Sequence, residues 1–532
     1  MQFNASYIPY SKTNAFSKLV IDYLENDTAL QPFYKYIPHK EGIEQAIKDR
    51  KNNPTDRLLL VNHFSKTYEG LIASPAVKFN IDSLVQENTF TICTAHQPNI
   101  FTGHLYFIYK IMHAIKLADE LNAEYKDIHF VPVYYMGSED ADLEELGEIE
   151  ISGKKYTWNT KQTGAVGRMK IDKPFLQLID ELEAQLKVET HGDEIIELVK
   201  KYYREGETIE SSTFQFVHAL FQQYGLLILL PDDAALKKSF APIMRKELEQ
   251  QFSADAVAET IKHFPATYKV QAAGRELNLF YLNDNIRERI EATKNGFAIA
   301  NTSLHFSPVE LLSELDNHPE RFSPNVILRP VFQEFILPNI VFIGGGGELA
   351  YWLELEKVFE VANVFFPMLV LRNSFMLLQK KQLKLMQKHQ LNPVDFFMPV
   401  NDLFKSIVEK LSSTRLHLDE EKKSLSNLYE QIAEAAAKVD KSLLLHSENL
   451  KVKTIKRLEQ LEQKMLRAEK KKFEATERQI NKIKSGLFPG GTLQERKDNL
   501  LYWYAIWGTD FIKMLYENSK GLQQEFYVIE EA

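Results

Sequence analysis

TICTAHQPNIFTGHLYFIYKIMHAIKLA, residues 91–118, decides the fold of this chain. The apolar run at 90–93 predicts a buried strand, and a polar loop with a Thr-Gly pair at 102–103 follows it. From Leu105 the apolar residues recur near a 3.6-residue period, which predicts a helix. In an open parallel sheet, a strand, a glycine-containing loop and a helix N-terminus form a corner where anions bind. We therefore expect a ligand corner here.

The length, net charge and cysteine count limit the classes of protein to which this chain can belong. A chain of 532 residues is too long for one compact core, so two to four structural units are expected. The net charge of −9 argues against nucleic acid or an anionic membrane as the main partner. The single cysteine, Cys93, excludes an internal disulfide and a thiolate zinc site, and we predict no metal site. Neither a signal peptide nor a membrane span is predicted, so we expect a cytoplasmic protein.

An acidic segment follows a second predicted buried strand, IHFVPVYYM at 128–136. Glu139, Asp140 and Asp142 come directly after it, where ligand-binding groups lie in parallel sheets. In an extended chain Asp140 and Asp142 share a face and repel each other unless a cation or hydroxyl groups lie between them. The alternative is an acidic helix start, which the helix dipole favours.

A four-glycine turn, Gly344 to Gly347, follows the predicted strand 340–343 and precedes a predicted helix. Four glycines permit positive φ and close backbone approach, the geometry of an anion nest. The segment lacks the Lys-Ser/Thr of a P-loop and the dinucleotide spacing, so a plain flexible turn is the alternative. Strands are also predicted at 226–230, 275–282, 297–304, 326–333 and 364–371. Arg329, if buried in one of them, needs an anionic partner.

Residues 376–485 contain no glycine and are rich in Lys, Glu, Gln and Leu. Apolar residues from Leu425 to Leu443 alternate spacings of three and four, which predicts a coiled-coil seam. A break near 446–449 would fold two arms into an antiparallel hairpin. An aromatic tail after the arm is expected to pack back on the core.

These motifs together resemble the bacillithiol-biosynthesis cysteine-adding enzymes, the BshC family of cysteine ligases. The matching stretches are TAHQPNIFTGHLYFIYK (94–110), VPVYYMGSEDADLEE (131–145), RELNLFYL (275–282), LRPVFQEFILPNIVFIGGGGELAYWLEL (328–355), the turn 372–375 and LFPGGTLQERKDN (487–499). Segment 101–104, FTGH, also looks like the His-x-Gly-His corner of class I aminoacyl-tRNA synthetases, which stabilises phosphates, with Phe101 in place of the first His.

The resemblance implies an α/β protein with a Rossmann-like, nucleotidyltransferase-type parallel-sheet core at 1–375 and inserts at about 150–215 and 275–325. It implies an antiparallel coiled-coil arm at 376–487, a C-terminal segment at 488–532 packed on the core, and a homodimer through the coiled coil. The implied reaction is the last step of bacillithiol synthesis, an amide bond between L-cysteine and the amine of glucosaminyl-malate. A carboxylate does not acylate an amine unaided, so we expect activation by a nucleotide, most simply ATP, with Mg²⁺ as a possible companion.

The expected roles of the candidate residues follow from their chemistry. Asp140 and Asp142 would hold the amine, hydroxyl groups or Mg²⁺; Arg329 and Arg372 would bind malate carboxylates or phosphate. Glu348 is a candidate base for the attacking ammonium. The candidate catalytic residues are Asp140, Asp142, Glu348 and Arg329, and the candidate binding residues are His96, Thr102, Gly103, His104, Tyr109, Lys110, Glu139, Gly345, Gly346, Tyr351, Arg372, Ser374 and Arg496.

Several alternatives stay open at this stage. Lys110 could be a solvated rim residue, and His96 could be structural. Cys93 is expected in the core and His113 in helix packing or at the surface. The chain could instead be a nucleotidyltransferase or synthetase of another small acid, or a non-catalytic coiled-coil scaffold. The ligase interpretation requires Thr102, Asp140, Arg329 and Glu348 to meet at one cleft.

Overall fold

The computed structural model describes residues 1–272, 274–412 and 415–532 and divides into two compact units. The first unit, called the core, comprises Met1–Leu377 and Thr492–Ala532; the second, called the arm, comprises Leu378–Gly491. Residue 273 of the predicted core and residues 413 and 414 of the predicted arm lie outside the described part of the chain.

The strands are, in chain order, β1 (Phe3–Ile8), β2 (Thr89–His96), β3 (His129–Met136), β4 (Glu148–Ile151), β5 (Lys154–Thr157), β6 (Leu227–Leu229), β7 (Leu279–Asn283), β8 (Ile286–Thr293), β9 (Gly296–Ile299), β10 (His305–Phe306), β11 (Phe322–Pro324), β12 (Asn339–Gly344), β13 (Met368–Leu371), β14 (Ser374–Leu378) and β15 (Phe526–Glu531).

The helices are, in the same order, α1 (Lys18–Leu24), α2 (Lys40–Lys51), α3 (Arg57–Thr67), α4 (Pro75–Ser83), α5 (Leu105–Glu124), α6 (Leu143–Leu146), α7 (Lys173–Leu186), α8 (Gly192–Tyr202), α9 (Ile209–Phe221), α10 (Ala234–Gln250), α11 (Phe252–His263), α12 (Pro308–Asn317), α13 (Leu328–Ile336), α14 (Gly346–Trp352), α15 (Glu356–Ala362), α16 (Lys380–Lys388), α17 (Val400–Leu411), α18 (Asp419–Val439), α19 (Leu443–Lys470), α20 (Glu474–Leu487), α21 (Leu500–Trp507) and α22 (Thr509–Asn518).

A parallel five-stranded sheet, in the order β13-β12-β2-β3-β6, forms the centre of the core. Every residue of β2 and β12 is buried, as expected for parallel strands with both faces covered. Helix α5 packs against β2 and β3, and α2 packs against β12. The predicted α/β fold with a Rossmann-like parallel sheet is confirmed. Its carboxyl edge is the edge that carries the candidate residues after β2, β3 and β12.

Two further sheets extend the core. Strand β15 pairs antiparallel with β1 and also lies beside β14, so the two ends of the chain meet in one small sheet. Strands β10, β9, β8, β7 and β11 form an antiparallel sheet that supplies one wall of the site described below. The predicted strands at 275–282 and 297–304 are each only partly extended, since β7 and β9 are shorter than these ranges.

The expected strand at 326–333 is wrong, because this segment begins helix α13. The apolar side chains Leu328, Val331 and Phe332 recur at spacings of three and four, which is the helical rather than the strand period. Pro330 is tolerated because it lies in the first turn, where its missing N–H leaves no helical hydrogen bond unmade.

The arm contains an antiparallel helical hairpin of α18 and α19, which confirms the predicted coiled coil. Tyr429 Oη lies 3.0 Å from Thr454 Oγ1, and Lys422 Nζ lies 3.0 Å from Glu462 Oε2, so residues further along one helix meet residues earlier on the other. The break expected near 446–449 is wrong, because the turn falls between Val439 and Leu443. Within the described ranges, no helix combines the length and apolarity that crossing a membrane requires.

Candidate functional site

A cavity of about 320 Å³ opens at the carboxyl edge of the central sheet. Its walls come from the end of β2, from the end of β3 and the loop after it, from the first turns of α5, from the start of α13, from α14, and from β8 and β11 of the antiparallel sheet. The volume lies within the range of small-molecule sites, and the edge is where open parallel sheets bind ligands. The lining residues are Ala95, His96, Gln97, Tyr106, Lys110, Tyr135, Gly137, Glu139, Asp140, Glu145, Arg287, Ser323, Pro324, Asn325, Val326, Arg329, Glu348 and Tyr351.

Arg329, in the first turn of α13, is the principal cation of the cavity wall. One terminal nitrogen, Nη2, donates to Tyr351 Oη at 2.9 Å, and the other, Nη1, donates to Gln333 Oε1 at 3.1 Å. Its guanidinium carbon lies 5.5 Å from the centre of the Tyr135 ring. The guanidinium is thus oriented by neutral groups and has no carboxylate partner among the ion pairs of the described residues, which leaves its charge available to an anion.

Lys110 and Glu348 form a buried ion pair beside Arg329. Lys110 Nζ contacts Glu348 Oε2 and donates to the Ala95 carbonyl at 3.0 Å. Burial lowers the pKa of the Lys110 ammonium, although Glu348 opposes this shift. Lys110 is only 3 % exposed, so it is not a solvated rim residue. The pair places a proton donor and a carboxylate side by side on the cavity wall.

Asp140 faces the cavity from the loop after β3. Its Oδ2 accepts from Gln97 Nε2 at 3.1 Å, and its Oδ1 lies 3.4 Å from Arg287 Nη1. Arg287, on β8, also lies over the Phe280 ring at 4.0 Å. The side chain of Asp140 is 34 % exposed. Its carboxylate is therefore accessible to an ammonium or hydroxyl group in the cavity.

Glu139 is held by a buried cation instead. Its carboxylate contacts Lys237, whose Nζ also lies 2.9 Å from Asp232 Oδ1. Arg168 completes the network with a bidentate contact to Asp232, at 2.7 and 2.9 Å. Burial raises the pKa of Glu139, and the charge of Lys237 opposes that rise. Glu139 shapes the acidic wall, but its charge is already compensated.

Two aromatic side chains complete the cavity. His96 stacks on Phe107 at 5.0 Å and meets the edge of Tyr106 at 5.3 Å. Burial, with the charge of Lys110, lowers the pKa of His96 well below its ordinary value, so the ring is neutral near pH 7. Its Nε2 has no hydrogen-bond partner among the described residues. Burial raises the pKa of Tyr106 to about 12, so its hydroxyl stays protonated.

The corner at the start of α5 is sealed by the chain itself. The Thr102 and Gly103 amides donate to the Asn99 and Ile100 carbonyls, at 3.1 and 3.0 Å, and the Leu105 amide donates to the Asp498 carbonyl at 2.9 Å. The expectation that the Thr102 and Gly103 amides face a nucleotide is therefore wrong. The Thr102 and Gly103 amides are bonded within their own turn, and only the Leu105 amide is bonded to the distant segment that precedes α21.

This corner also has unusual backbone geometry. Phe101, Thr102 and Gly103 have φ values of 50, 71 and 61°, and such angles are rare for bulky or β-branched residues. Asn499 Nδ2 donates to the carbonyls of Phe101 and Gly103, at 2.9 and 2.5 Å, and so bridges the turn. The strained turn is thus stabilised from outside by one amide.

The four-glycine turn does not form the expected nest. Gly344, Gly345, Gly346 and Gly347 are absent from the positive-φ residues of the described chain. Glu348 Oε2 accepts from the Gly345 amide at 2.8 Å, so the start of α14 is capped by its own carboxylate. A Cβ at Gly344 would lie 2.9 Å from the Phe342 ring, which explains glycine there by close packing.

The remaining candidates lie outside the cavity lining. Arg372 is buried and makes a bidentate contact with Glu495, at 2.9 and 2.6 Å, and also donates to Ser374 Oγ at 2.9 Å. Asp142 caps α6 by accepting from the Glu145 amide at 3.1 Å, as the helix-start alternative predicted. The others outside the lining are Thr102, Gly103, His104, Tyr109, Gly345, Gly346 and Arg496, of which Arg496 is exposed.

Cys93 and His113 are placed as expected for structural residues. Cys93 is fully buried in β2, and burial raises the pKa of its thiol well above the ordinary value. His113 is fully buried on α5, where its ring contacts the Gly521 carbonyl at 2.6 Å and accepts from the Asn373 amide at 3.1 Å.

The cavity brings together His96, Lys110, Glu139, Asp140, Arg329, Glu348 and Tyr351, which sequence reasoning had selected. Asp140, Arg329 and Glu348 meet at one cleft as required, whereas Thr102 does not. Sequence reasoning missed Gln97, Tyr106, Tyr135, Arg287, Ser323 and Asn325. Gln97, Tyr106 and Tyr135 could have been predicted from the sequence, because each lies at the carboxyl end of a predicted strand or in the first turn of the next helix.

The geometry agrees with two family descriptions that together cover nearly the whole chain. Residues 3–373 match "Bacillithiol biosynthesis BshC, N-terminal Rossmann-like domain", and residues 375–531 match the C-terminal coiled-coil domain of the same family. The chain belongs to the BshC family. BshC relatives span it from end to end, so the cavity and the arm are both parts of a BshC architecture.

Three BshC relatives illustrate the likeness, and each is named "Putative cysteine ligase BshC". The protein from Flavobacterium johnsoniae is 39% identical over 98% of this chain and 99% of its own length. That from Flavobacterium psychrophilum is 38% identical over 99% of each chain, and that from Christiangramia forsetii is 37% identical over 98% of each.

Proposed function

We propose that this protein is a ligase that joins the carboxylate of L-cysteine to the amine of glucosaminyl-malate, in the last step of bacillithiol biosynthesis, with activation by a nucleotide. Its relatives carry the ligase name, and its family description carries the pathway. The observation that carries the proposal is the cavity, where the available cation Arg329 and the accessible carboxylate Asp140 lie in one space. Such a site can bind an anionic and an ammonium-bearing group together.

Arg329 and Arg287 are the groups we assign to the malate carboxylates. A guanidinium donates through a planar fork that matches a carboxylate, and Arg329 is already oriented by Tyr351 and Gln333. Arg287, with 12 % of its side chain exposed, faces the same space from β8. Asp140 is then the partner of the substrate ammonium or of sugar hydroxyl groups.

The chemical step requires an activated carboxyl group and a free amine. The cysteine carboxylate displaces pyrophosphate or ADP from ATP and becomes an acyl-adenylate or an acyl-phosphate. The sugar amine, after losing a proton, attacks the acyl carbon, and AMP or phosphate leaves. Glu348 is the proposed acceptor of that proton, because it lies on the wall beside Lys110, whose ammonium can return a proton to the leaving group.

The residues that would contact nucleotide phosphates are cations of the cavity rather than amides of the corner. Lys110 can supply charge there, beside the two arginines assigned to the malate carboxylates, whereas the corner amides are already bonded. Across the described ranges, no cluster of three or more His, Cys, Asp or Glu side chains could hold a metal ion. Mg²⁺ enters the proposal as the companion of ATP.

The proposal also includes a homodimer formed through the arm. Helix α18 exposes the apolar side chains of Leu428, Ile432 and Val439, at 53, 45 and 83 %. A row of exposed apolar side chains on a helix favours pairing with another helix.

Purified protein incubated with glucosaminyl-malate, cysteine and ATP tests the function by mass spectrometry. We expect the cysteinyl product and one nucleotide product, AMP or ADP, which also identifies the route. Asp140→Asn should lose product, whereas Asp142→Asn is the matched control and should retain it. Formation of an amide only with another acid, or no product with any nucleotide, would overturn the proposal.

A further inference from the structure

A chain of buried amides leads from the cavity wall into the core. Arg329 Nη1 donates to Gln333 Oε1 at 3.1 Å, and Gln333 Nε2 donates to Glu334 Oε1 at 2.7 Å. Asn339 Nδ2 donates to the same Glu334 oxygen at 2.9 Å, and Thr91 Oγ1 donates to Asn339 Oδ1 at 3.2 Å. Gln333, Glu334 and Asn339 are completely buried. Two branches therefore meet at one carboxyl oxygen.

The common carboxyl group determines which way both amides point. Glu334 Oε1 accepts both of these hydrogen bonds, so the NH₂ groups of Gln333 and Asn339 both face it. The amide oxygen of Gln333 is then directed at Arg329, and the amide oxygen of Asn339 is directed at Thr91. With the Gln333 amide reversed, an NH₂ group would face the guanidinium, and two donors would oppose each other.

A carboxyl group in this position is costly to the fold. Burial raises the pKa of Glu334 to about 7, against the charge of Arg50. Arg50 donates not to its carboxyl group but to its main-chain carbonyl, at 3.1 Å. Buried polar groups without full partners lower stability, and Glu334 Oε2 has no hydrogen-bond partner among the described residues. The geometry therefore points to a benefit at the other end of the chain of amides.

We infer that Glu334 is a positioning residue for the site: through the amide of Gln333 it fixes the guanidinium of Arg329 at the cavity wall. This inference rests on the proposed function for its substrate, glucosaminyl-malate. Glu334 itself does not line the cavity. It holds the Gln333 amide in one orientation, so the amide oxygen of Gln333 always faces the guanidinium of Arg329.

The two branches supply a matched pair of variants. Gln333→Leu cuts the branch to Arg329, and Asn339→Leu cuts the branch to Thr91 at the same carboxyl oxygen. Each should lower the urea midpoint of unfolding. Only Gln333→Leu and Glu334→Gln should raise the KM for glucosaminyl-malate, by about tenfold, with kcat within about twofold, because a displaced guanidinium weakens substrate binding. Thr91→Val replaces Asn339→Leu if that variant does not fold.

A double variant decides whether the groups act in series. In the Gln333→Leu background, Glu334→Gln should change KM by less than about twofold, because the path to Arg329 is already cut. Equal effects of Glu334→Gln in both backgrounds, or an equal rise in KM from Asn339→Leu, would overturn the inference. If the unaltered protein forms no product, the proposed function fails. The series arrangement is then decided by whether the urea midpoints of Glu334→Gln and Arg329→Met are non-additive.

Discussion

Two places at the carboxyl edge of the central sheet have the same local design and different fates. At the first, β2 runs through Thr102 and Gly103 into α5; at the second, β12 runs through the glycine turn into α14. The first is closed by Asp498 and Asn499, which bond to its amide and carbonyl groups. At the second, the Gly345 amide is also bonded, to Glu348 of its own helix, but the side chains of Glu348 and Tyr351 line the cavity beside Arg329. At this edge of the sheet, the groups left to a ligand are side chains rather than helix-start amides.

The two places differ in whether their polar groups are already bonded within the protein. The closed corner uses its polar groups to hold a strained turn, so a ligand there would have to displace protein contacts. The open cavity keeps the guanidinium of Arg329, whose hydrogen-bond partners among the described residues are neutral, so an anion there adds interactions without breaking an ion pair. An ammonium group at the accessible carboxylate of Asp140 competes only with the 3.4 Å contact of Arg287.

Replacing Arg329, the principal cation of the cavity wall, should have the largest effect on activity. Arg329→Met is expected to lower kcat/KM for ligation by about 100-fold, because charge-assisted contacts of a guanidinium to a carboxylate contribute about 1.5–3 kcal/mol. Steady-state kinetics of the product-forming reaction measure it. Arg289→Met, at an arginine on β8 that is 39 % exposed, is the control and should leave kcat/KM unchanged. A loss below threefold for Arg329→Met would contradict the assignment of the open cavity.

Removing the amide that closes the corner should affect stability rather than binding. Asn499→Ala leaves the Phe101 and Gly103 carbonyls without their donor and removes the cap of α21, so we expect a loss of about 2–3 kcal/mol in the free energy of unfolding. Urea unfolding gives this value. The KM values for substrates should stay within about twofold at a temperature where the variant is folded. A large rise in KM instead would place the corner in the site.

The sequence predicted the centre of the fold because its signals are local. Apolar runs placed β2, β3 and β12 correctly and the helical period placed α5, and the candidate residues included seven of the eighteen that line the cavity. Segment 326–333 failed because a short apolar run with a proline fits either a strand or a first helical turn. Only the spacing of Leu328, Val331 and Phe332 separates the two.

The fate of each candidate could not be predicted, because it depends on partners far away in the chain. Arg372 lies 123 residues from Glu495, and Asn499 lies 396 residues from Gly103. The contact with Glu495 occupies the guanidinium of Arg372, which local reasoning had assigned to a ligand, and the contact from Asn499 holds the turn whose amides had been assigned to one. Lys237, which compensates Glu139, gave no motif at all. The position of a site is therefore easier to predict from sequence than which of its polar groups remain free to bind a ligand.

The closed corner should also lower the free energy of unfolding as the pH rises. Burial raises the pKa of Asp498, on which Trp503 Nε1 donates at 3.0 Å, to about 7. A carboxyl group whose folded pKa is raised stabilises the fold below its ordinary pKa near 4, and this stabilisation is lost as the pH rises through 7. The free energy of unfolding of Asp498→Asn should therefore rise, relative to that of the unaltered protein, by on the order of 2 kcal/mol as the pH is raised from 5 to 8.

Urea midpoints at the two pH values measure that difference. Asp510→Asn is the control, since the pKa of Asp510 is lowered by its hydrogen bond to the N-terminal ammonium. It should show no such gain. Parallel pH profiles for Asp498→Asn and the unaltered protein would show that the Asp498 carboxyl group is ionised in the folded state.

The arm should matter least to the chemistry, because every residue that lines the cavity belongs to the core. Leu428→Lys combined with Ile432→Lys places two charges on the exposed face of α18, so sedimentation should show a change from a dimer to a single chain of 61.6 kDa. Ser424→Lys, at an exposed polar position of α18, is the control and should remain dimeric. Since no cavity group is touched, kcat per chain should stay within about twofold. A monomeric mass for the unaltered protein would contradict the dimer, and a large fall in kcat with monomerisation would mean that the cavity requires the second chain.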